Sequence, residues 1–359
     1  MKTTIVGLVA VLWFSLVAPA YAEPAPPSPP PRPVTPSDGS ALRNPDNNDG
    51  PRGVYVFAAE VQGAWSQRNY AYLDDLFDRW AKSDERFDDG RSHVMGFSVG
   101  LELVSERNKT TKDWEQSLSQ IREWRQRNPA STAVDIAEAS ILASWAWSAR
   151  GSGYSRSVTE EGWKLFRARL DRAEAVLLHS KDRSSGNPLW YVGYLEIAVA
   201  KGWDSAEFRA LYDAAINRFP DFLPLYNRMI RSLQPRWGGS IEQIDAYIAE
   251  VVKQTEARQG KVMYARLYWY LAGAEGDDFS LFEDSAANWA DMKTGFNQLI
   301  AATPKSNWNL NNFASFACRA GDADTYRKLR KRIGEKIYKD AWPSNYSMEV
   351  CDERLLKKI

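Results

Sequence analysis

Glu160-Glu161-Gly162-Trp163-Lys164-Leu165-Phe166-Arg167-Ala168-Arg169-Leu170-Asp171-Arg172-Ala173-Glu174-Ala175-Val176-Leu177 decides the fold class. Trp163, Phe166, Leu170, Ala173 and Leu177 recur at spacings of three and four, which aligns them on one face of a helix. The intervening positions carry Lys, Arg, Asp and Glu, the composition of a solvated outer face. The same spacing returns along the chain. Leu73, Leu76, Phe77 and Trp80 share a face, as do Trp114, Leu118 and Ile121. So do Phe208, Leu211, Tyr212, Ala215 and Phe219, and further on Ile241, Ile244, Ile248 and Val251. No sustained alternating run bounded by turn signals demands a sheet. The reading is all-α.

Helix ends are also written in the sequence. Ser157-Val158-Thr159-Glu160 and Ser240-Ile241-Glu242-Gln243 have the form of capping boxes. Gly202 and Gly321 sit where one helix gives way to the next, and Pro129, Pro220 and Pro304 each follow a helix that must stop. Helices of similar length in succession invite a repeat test. Placing Pro220 as the terminal proline of a tetratricopeptide unit of about 34 residues lets Leu195, Tyr212 and Ala215 match key positions. The glycine and first aromatic positions of that pattern fail, and later segments fit worse. The expected architecture is therefore a degenerate tetratricopeptide-like array of helical hairpins, with an irregular α-bundle as the alternative. Stacked hairpins bury a core and leave a concave face and loop edges.

Outward from that region the chain divides in three. Residues 1–22 read as a signal peptide: Lys2, an apolar run from Ile5 to Val17, and the small-x-small site Ala20-Tyr21-Ala22, with cleavage after Ala22. An uncleaved anchor is the competing reading, but the run is short for a spanning helix. Residues 23–53 are Pro-rich and then polar, the composition of an extended solvated tether. Residues 54–359 form the helical-repeat-like domain. The expected location is the periplasm or the exterior, with no stable membrane span after cleavage. The two cysteines of the chain, Cys318 and Cys351, are read as a disulfide on that account.

Lys+Arg and Asp+Glu balance at 46 each, which argues against a nucleic-acid partner. Hydrophobic residues make up 44%, enough for an ordinary core. Fifteen Trp, 16 Tyr and 14 Phe are a large aromatic complement. Sugar or peptide recognition would use them, but core filling between helices is the plainer account. Catalytic signals are weak. His93 and His179 stand far apart, neither in a zinc-binding H-E-x-x-H context, and no G-x-S-x-G elbow is present. No cofactor and no metal site is read from the sequence. Glu275, Asp277 and Asp278 follow the aromatic stretch from Tyr264 to Tyr270; a carboxylate pair for glycoside hydrolysis and an acidic helix-end loop both account for them. Tyr326 to Tyr338 reads as a basic helix with a solvated outer face.

Trp147-Ser148-Ala149-Arg150-Gly151-Ser152-Gly153-Tyr154, followed by Val158-Thr159-Glu160-Glu161-Gly162-Trp163, resembles the hallmark of a bacterial domain family of unknown function. Leu233-Gln234-Pro235-Arg236-Trp237-Gly238-Gly239-Ser240 is similar to its second hallmark, and Phe316-Ala317-Cys318-Arg319-Ala320-Gly321-Asp322 to its C-terminal signature. Together these span residues 70–355. The resemblance implies a tetratricopeptide-like helical domain and no catalytic residues.

Two loops are the candidate ligand-binding residues. Arg150, Gly151, Gly153 and Tyr154 lead into a capped helix start, and Arg236, Trp237, Gly238 and Gly239 precede another. Exposed amides at a helix start beside an Arg hold carboxylate or phosphate groups. In a stacked array equivalent loops project from one edge, so both are expected to line one shared pocket. A flexible hairpin loop and a Trp plugging a hairpin junction are the competing structural accounts. The favoured function is an exported, non-enzymatic binding or scaffolding protein that takes a peptide or protein partner through its loops and concave surface. The alternative is a cell-wall carbohydrate binder or carboxylate-dependent glycosidase.

Overall fold

The computed structural model describes residues 48–83, 85–151 and 155–356. The signal peptide and nearly all of the tether read from the sequence lie outside the described residues. Among the described residues there are 17 α-helices, and the β-structure is one isolated bridge between Arg86 and Ser92. The fold is all-α.

Helical hairpins follow one another along the chain. α1 (Gly50–Ser66) is followed by α2 (Tyr70–Lys82), α3 (Val94–Glu106) by α4 (Thr111–Arg127), which packs on the next helix, and α5 (Thr132–Arg150) pairs with α6 (Glu160–His179). After the single-turn α7 (Lys181–Ser184) come α8 (Pro188–Lys201) with α9 (Ser205–Arg218), and α10 (Leu223–Ser232) with α11 (Ile241–Gln259). Then α12 (Val262–Glu275) pairs with α14 (Trp289–Ala302) around the short α13 (Leu281–Asp284), and α15 (Asn307–Arg319) pairs with α16 (Ala323–Ile333) before the terminal α17 (Met348–Leu355). Gly50 to Gly53, read as the end of the tether, form the first turn of α1.

Local chemistry explains most of the boundaries. α4, α9 and α14 stop two residues before Pro129, Pro220 and Pro304, because the residue ahead of a proline is pushed out of the helical region. Gly202 and Gly321 adopt φ of 70° and 73° between consecutive helices. Ser240 caps α11, accepting from the Gln243 amide at 3.3 Å. The other box starts two residues later than expected. Thr159, not Ser157, caps α6 and accepts from the Gly162 amide at 3.0 Å, while Ser157 ends a 3-10 turn. The basic helix is also shorter than its sequence implied: α16 ends at Ile333 because Gly334 takes φ 56°.

α1, α3, α5, α8, α10 and α12 pack side by side as an inner layer. α1 touches α3, α3 touches α5, and contact continues through α8, α10 and α12. The α1–α3 pair shows their direction. A Cβ on Gly96 would come within 2.4 Å of Phe57 Cβ, and one on Gly100 within 2.5 Å of Val61 Cβ. The register advances in the same sense on both helices, so they run parallel, each hairpin returning through its outer partner. The layer then closes. Trp269 of α12 meets Trp308 of α15 at 5.9 Å between ring centroids, and α15 touches α1. Buried Asp49 fixes this seam, accepting from Ser306 Oγ at 2.7 Å and from the Trp308 amide at 2.8 Å. The Asp89 carbonyl accepts from Arg266 of α12 at 2.7 Å and Asn309 of α15 at 3.1 Å. The open concave face expected of a hairpin array is instead the lining of a closed ring. Outside the ring, Cys318 and Cys351 form a disulfide-capable pair with Cα atoms 5.8 Å apart, tying α17 to α15.

Candidate functional site

A cavity of about 530 Å³ opens between α1, α3, α5, α8 and α10, with Trp114 of α4 and Leu177 of α6 also in its wall, and its volume is within the range of about 300–1,000 Å³ usual for ligand sites. Its walls follow from how an inner helix is used. α8 packs against helices on both sides and behind, so it is apolar nearly all round. One narrow strip is left facing inward: Leu189, Val192, Gly193, Glu196 and Ile197, at helical spacing. α5 contributes a longer strip of the same period: Ile136, Ala139, Ser140, Ala143, Ser144, Trp147 and Ser148. From α3 come Ser98, Leu101, Glu102, Ser105 and Glu106. Tyr55, Trp114 and Trp147 supply flat apolar surface, and Arg228 of α10 brings a cation.

The charges are few and coupled. Arg228, 4% exposed, donates to Glu196 at 2.9 Å. Glu102 faces the same region from α3. Burial first, and the Glu196 carboxylate second, push its carboxyl well above the usual carboxylate range, against the opposing pull of Arg228. Glu102 is thus held towards its protonated, hydrogen-bond-donating form beside a carboxylate paired with a guanidinium. Arg231 lies one turn beyond Arg228 and is 7% exposed. Burial lowers its pKa to about 10, with Glu196 resisting and Arg228 and Arg236 adding to the effect.

One contact links the neighbourhoods of the two loops expected to form the site, and it is made by a helix residue ahead of the first loop. Both follow inner helices, and Trp147 of α5 packs edge-to-face on Trp237 with centroids 6.1 Å apart. Trp147 and Gly151 line the cavity, so this contact marks its rim. Arg150 is half-buried between Trp147 and Trp163, its guanidinium 5.5 Å from each ring centroid, and its Nη1 donates to the Gly151 carbonyl at 3.3 Å. Gly153 and Tyr154 lie outside the described residues. Arg236 turns away from the cavity and donates to the Ala274 carbonyl at 2.8 Å, closing the end of α12. Trp237 is half-buried, and its guanidinium neighbour is Arg231, 5.8 Å from its centroid. Gly238 takes φ 90°. Gly239 has no room for a side chain, since a Cβ would stand 2.1 Å from the Leu233 carbonyl oxygen. These two glycines serve the turn. Of the acidic loop, Glu275 accepts from Gln234 at 2.6 Å and holds the same junction together.

Sequence reasoning missed Glu102, Glu196, Arg228 and Arg231. A signal was present. Glu196 is the lone acid in Pro-Leu-Trp-Tyr-Val-Gly-Tyr-Leu-Glu-Ile-Ala-Val-Ala-Lys, and Glu102 interrupts Phe97-Ser98-Val99-Gly100-Leu101-Glu102-Leu103. An isolated charge in an otherwise apolar helix must face either a partner or a cavity. Most of the tryptophans are core residues; Trp80, Trp124, Trp190 and Trp308 are almost wholly buried.

Among the described residues no group of three or more His, Cys, Asp or Glu is arranged to hold a metal ion, and no helix is long and apolar enough to cross a membrane. Compared with known proteins, the chain matches no family model, no curated protein and no solved structure.

Proposed function

We propose that this chain is a binding protein that takes a short peptide segment into its central cavity and performs no chemistry on it. The observation that carries the reading is the cavity: about 530 Å³, walled by α1, α3, α5, α8 and α10 with Trp114 of α4. A volume of that size excludes a folded partner and suits a few residues of extended chain. Tyr55, Trp114 and Trp147 offer apolar faces, while Ser140, Ser144 and Glu102 offer hydrogen bonds to backbone groups. Export belongs to the same proposal, supported by the apolar run ahead of Ala20-Tyr21-Ala22 and by a cysteine pair suited to an oxidising compartment. So does kinship with the tetratricopeptide-like family, supported by the burial of Leu195, Tyr212 and Ala215 within the α8–α9 hairpin.

The test is calorimetric titration with a panel of short peptides, repeated on Ser144→Trp. Ser144 faces the cavity at the middle of α5, so an indole there fills the site without entering the core. Affinity should fall at least tenfold with helical circular dichroism unchanged. Undiminished binding by Ser144→Trp would overturn the reading.

A second reading has one observation in its favour. Glu102, held towards protonation beside the Arg228-paired Glu196, is the division of roles that a general acid and a carboxylate base require in glycoside hydrolysis. Incubation with peptidoglycan distinguishes the two: soluble fragments lost in Glu102→Gln support hydrolysis, and an undegraded sacculus supports binding alone.

A further inference from the structure

Beside the cavity rim, buried donors stand without acceptors. Nη1 of Arg231 has no hydrogen-bond partner, and neither does Nε1 of Trp147 or of Trp237. The three belong to one cluster. Trp147 and Trp237 meet at 6.1 Å, and the Arg231 guanidinium lies 5.8 Å from the Trp237 centroid. Trp147 is itself a wall of the cavity. Arg231 shares a face of α10 with Arg228, three residues earlier, and Arg228 also lines the cavity.

The charge balance is as uneven as the hydrogen bonding. Arg228, Arg231 and Arg236 all act on Tyr270 of α12, so they are gathered in one place. The acid acting on Arg231 is Glu196, and Glu196 already accepts from Arg228 at 2.9 Å. A guanidinium 7% exposed whose one acidic neighbour is already engaged by Arg228 is costly to the fold. An arriving anion would remove that cost, and in a water-poor setting its attraction is strong.

We propose that Arg231, with the indole N–H groups of Trp147 and Trp237, is an anion subsite that takes a terminal carboxylate or a phosphate group of the cavity's ligand. The donor chemistry suits such a group: a guanidinium presents paired donors to two oxygens, and each indole N–H can add a single donor. The subsite rests on the cavity being a binding site, and it moves the anion contact from Arg150 and Arg236 to Arg231. Arg150 is engaged by Trp147, Trp163 and the Gly151 carbonyl, and Arg236 by the Ala274 carbonyl.

The experiment titrates the intact chain with N-acetyl-alanyl-alanine as free acid, with its C-terminal amide, and with inorganic phosphate, reading heat of binding and thermal shift. The variants are Arg231→Met, which keeps the bulk and removes the charge, and Trp237→Phe, which keeps a ring and removes one donor. Wild type should bind the free acid or phosphate at millimolar concentration or better, and Arg231→Met should weaken that binding at least tenfold. Unliganded Arg231→Met should melt no lower than wild type, because it no longer buries an unpaired charge. If Arg231→Met fails to fold, Trp237→Phe decides, with an expected loss of several-fold. Free acid bound and phosphate ignored assigns a carboxylate terminus; the reverse assigns a phosphate-bearing ligand. Phosphate binding abolished in Arg231→Met, with neither peptide bound, keeps the subsite and removes the peptide reading of the cavity. Equal binding of acid and amide with phosphate silent overturns the subsite and leaves the cavity reading standing. No response to any probe overturns the subsite.

Discussion

At the scale of single residues, Glu102 carries the clearest pH signature. Its carboxyl is raised in the folded state by burial and by Glu196. A raised acid penalises folding once pH exceeds its unfolded value near 4.5, and the penalty is complete above the folded value. Glu102→Gln should therefore stabilise the protein at pH 7, with the gain shrinking to nothing as pH falls below about 4.5. Paired thermal melts across pH 3 to 8 check this; a gain that persists at low pH would mean that charge is not the cause. Gly100 sets a second test. Alanine there gains about 1 kcal/mol of helix propensity but forces a Cβ against Val61 Cβ at 2.5 Å and the Ala58 carbonyl at 3.0 Å. Overpacking of this kind costs about 1–3 kcal/mol, and the contact is with atoms close to the backbone, which cannot swing aside. Denaturant unfolding of Gly100→Ala should show a net loss of up to about 2 kcal/mol. At this scale the reading was partial: Gly239, expected to approach a ligand, serves the turn, and Trp237 stands at the junction that was the competing account of it. Glu102 and Arg231 were not found, because what makes them notable is the absence of a partner, and partners come from other helices.

At the scale of elements, the amphipathic stripes translate directly into packing. Leu73, Leu76, Phe77 and Trp80 are all sealed, as are Leu170, Ala173 and Leu177. Periodicity sees one helix at a time, which is why it succeeded here and why it did not show how hairpins are tied to each other. Asp135 is such a tie. Fully buried at the start of α5, it accepts from Arg125 of α4 at 2.7 Å, from Arg183 of α7 at 2.7 and 2.8 Å, and from Ser184 at 2.7 Å. Removing one partner of a buried ionic network leaves the others uncompensated and costs about 3–5 kcal/mol. Asp135→Ala should lose stability of that size by urea denaturation, and a loss under about 1 kcal/mol, the size of a surface pair, would show the network to be solvated.

At the scale of the molecule, closure of the ring was not readable from the chain. Asp49 and Ser306 are 257 residues apart, and a repeat pattern specifies how one hairpin meets the next, not that the last meets the first. The inner layer leaves a cavity between α1, α3, α5, α8 and α10, and its size suits a short segment better than a folded partner. The proposed export makes its own demand. N-terminal sequencing of the secreted protein should begin at Glu23, and Cys318 and Cys351 should resist alkylation until reduced. Closing a loop with a sequence separation of 33 contributes about 3–4 kcal/mol in the chain-entropy model, so reduction should lower the melting temperature.

The central claim is that ligand sits inside the ring. Photo-labelling with a diazirine-bearing form of whichever short peptide binds, followed by peptide mapping, locates it directly. The account predicts adducts on the inward strips, at Tyr55, Glu102, Ser144 or Trp147, and their loss in Ser144→Trp. Adducts confined to the outer helices α2 or α9, or to residues of α4 and α6 other than Trp114 and Leu177, unchanged in that variant, would contradict it.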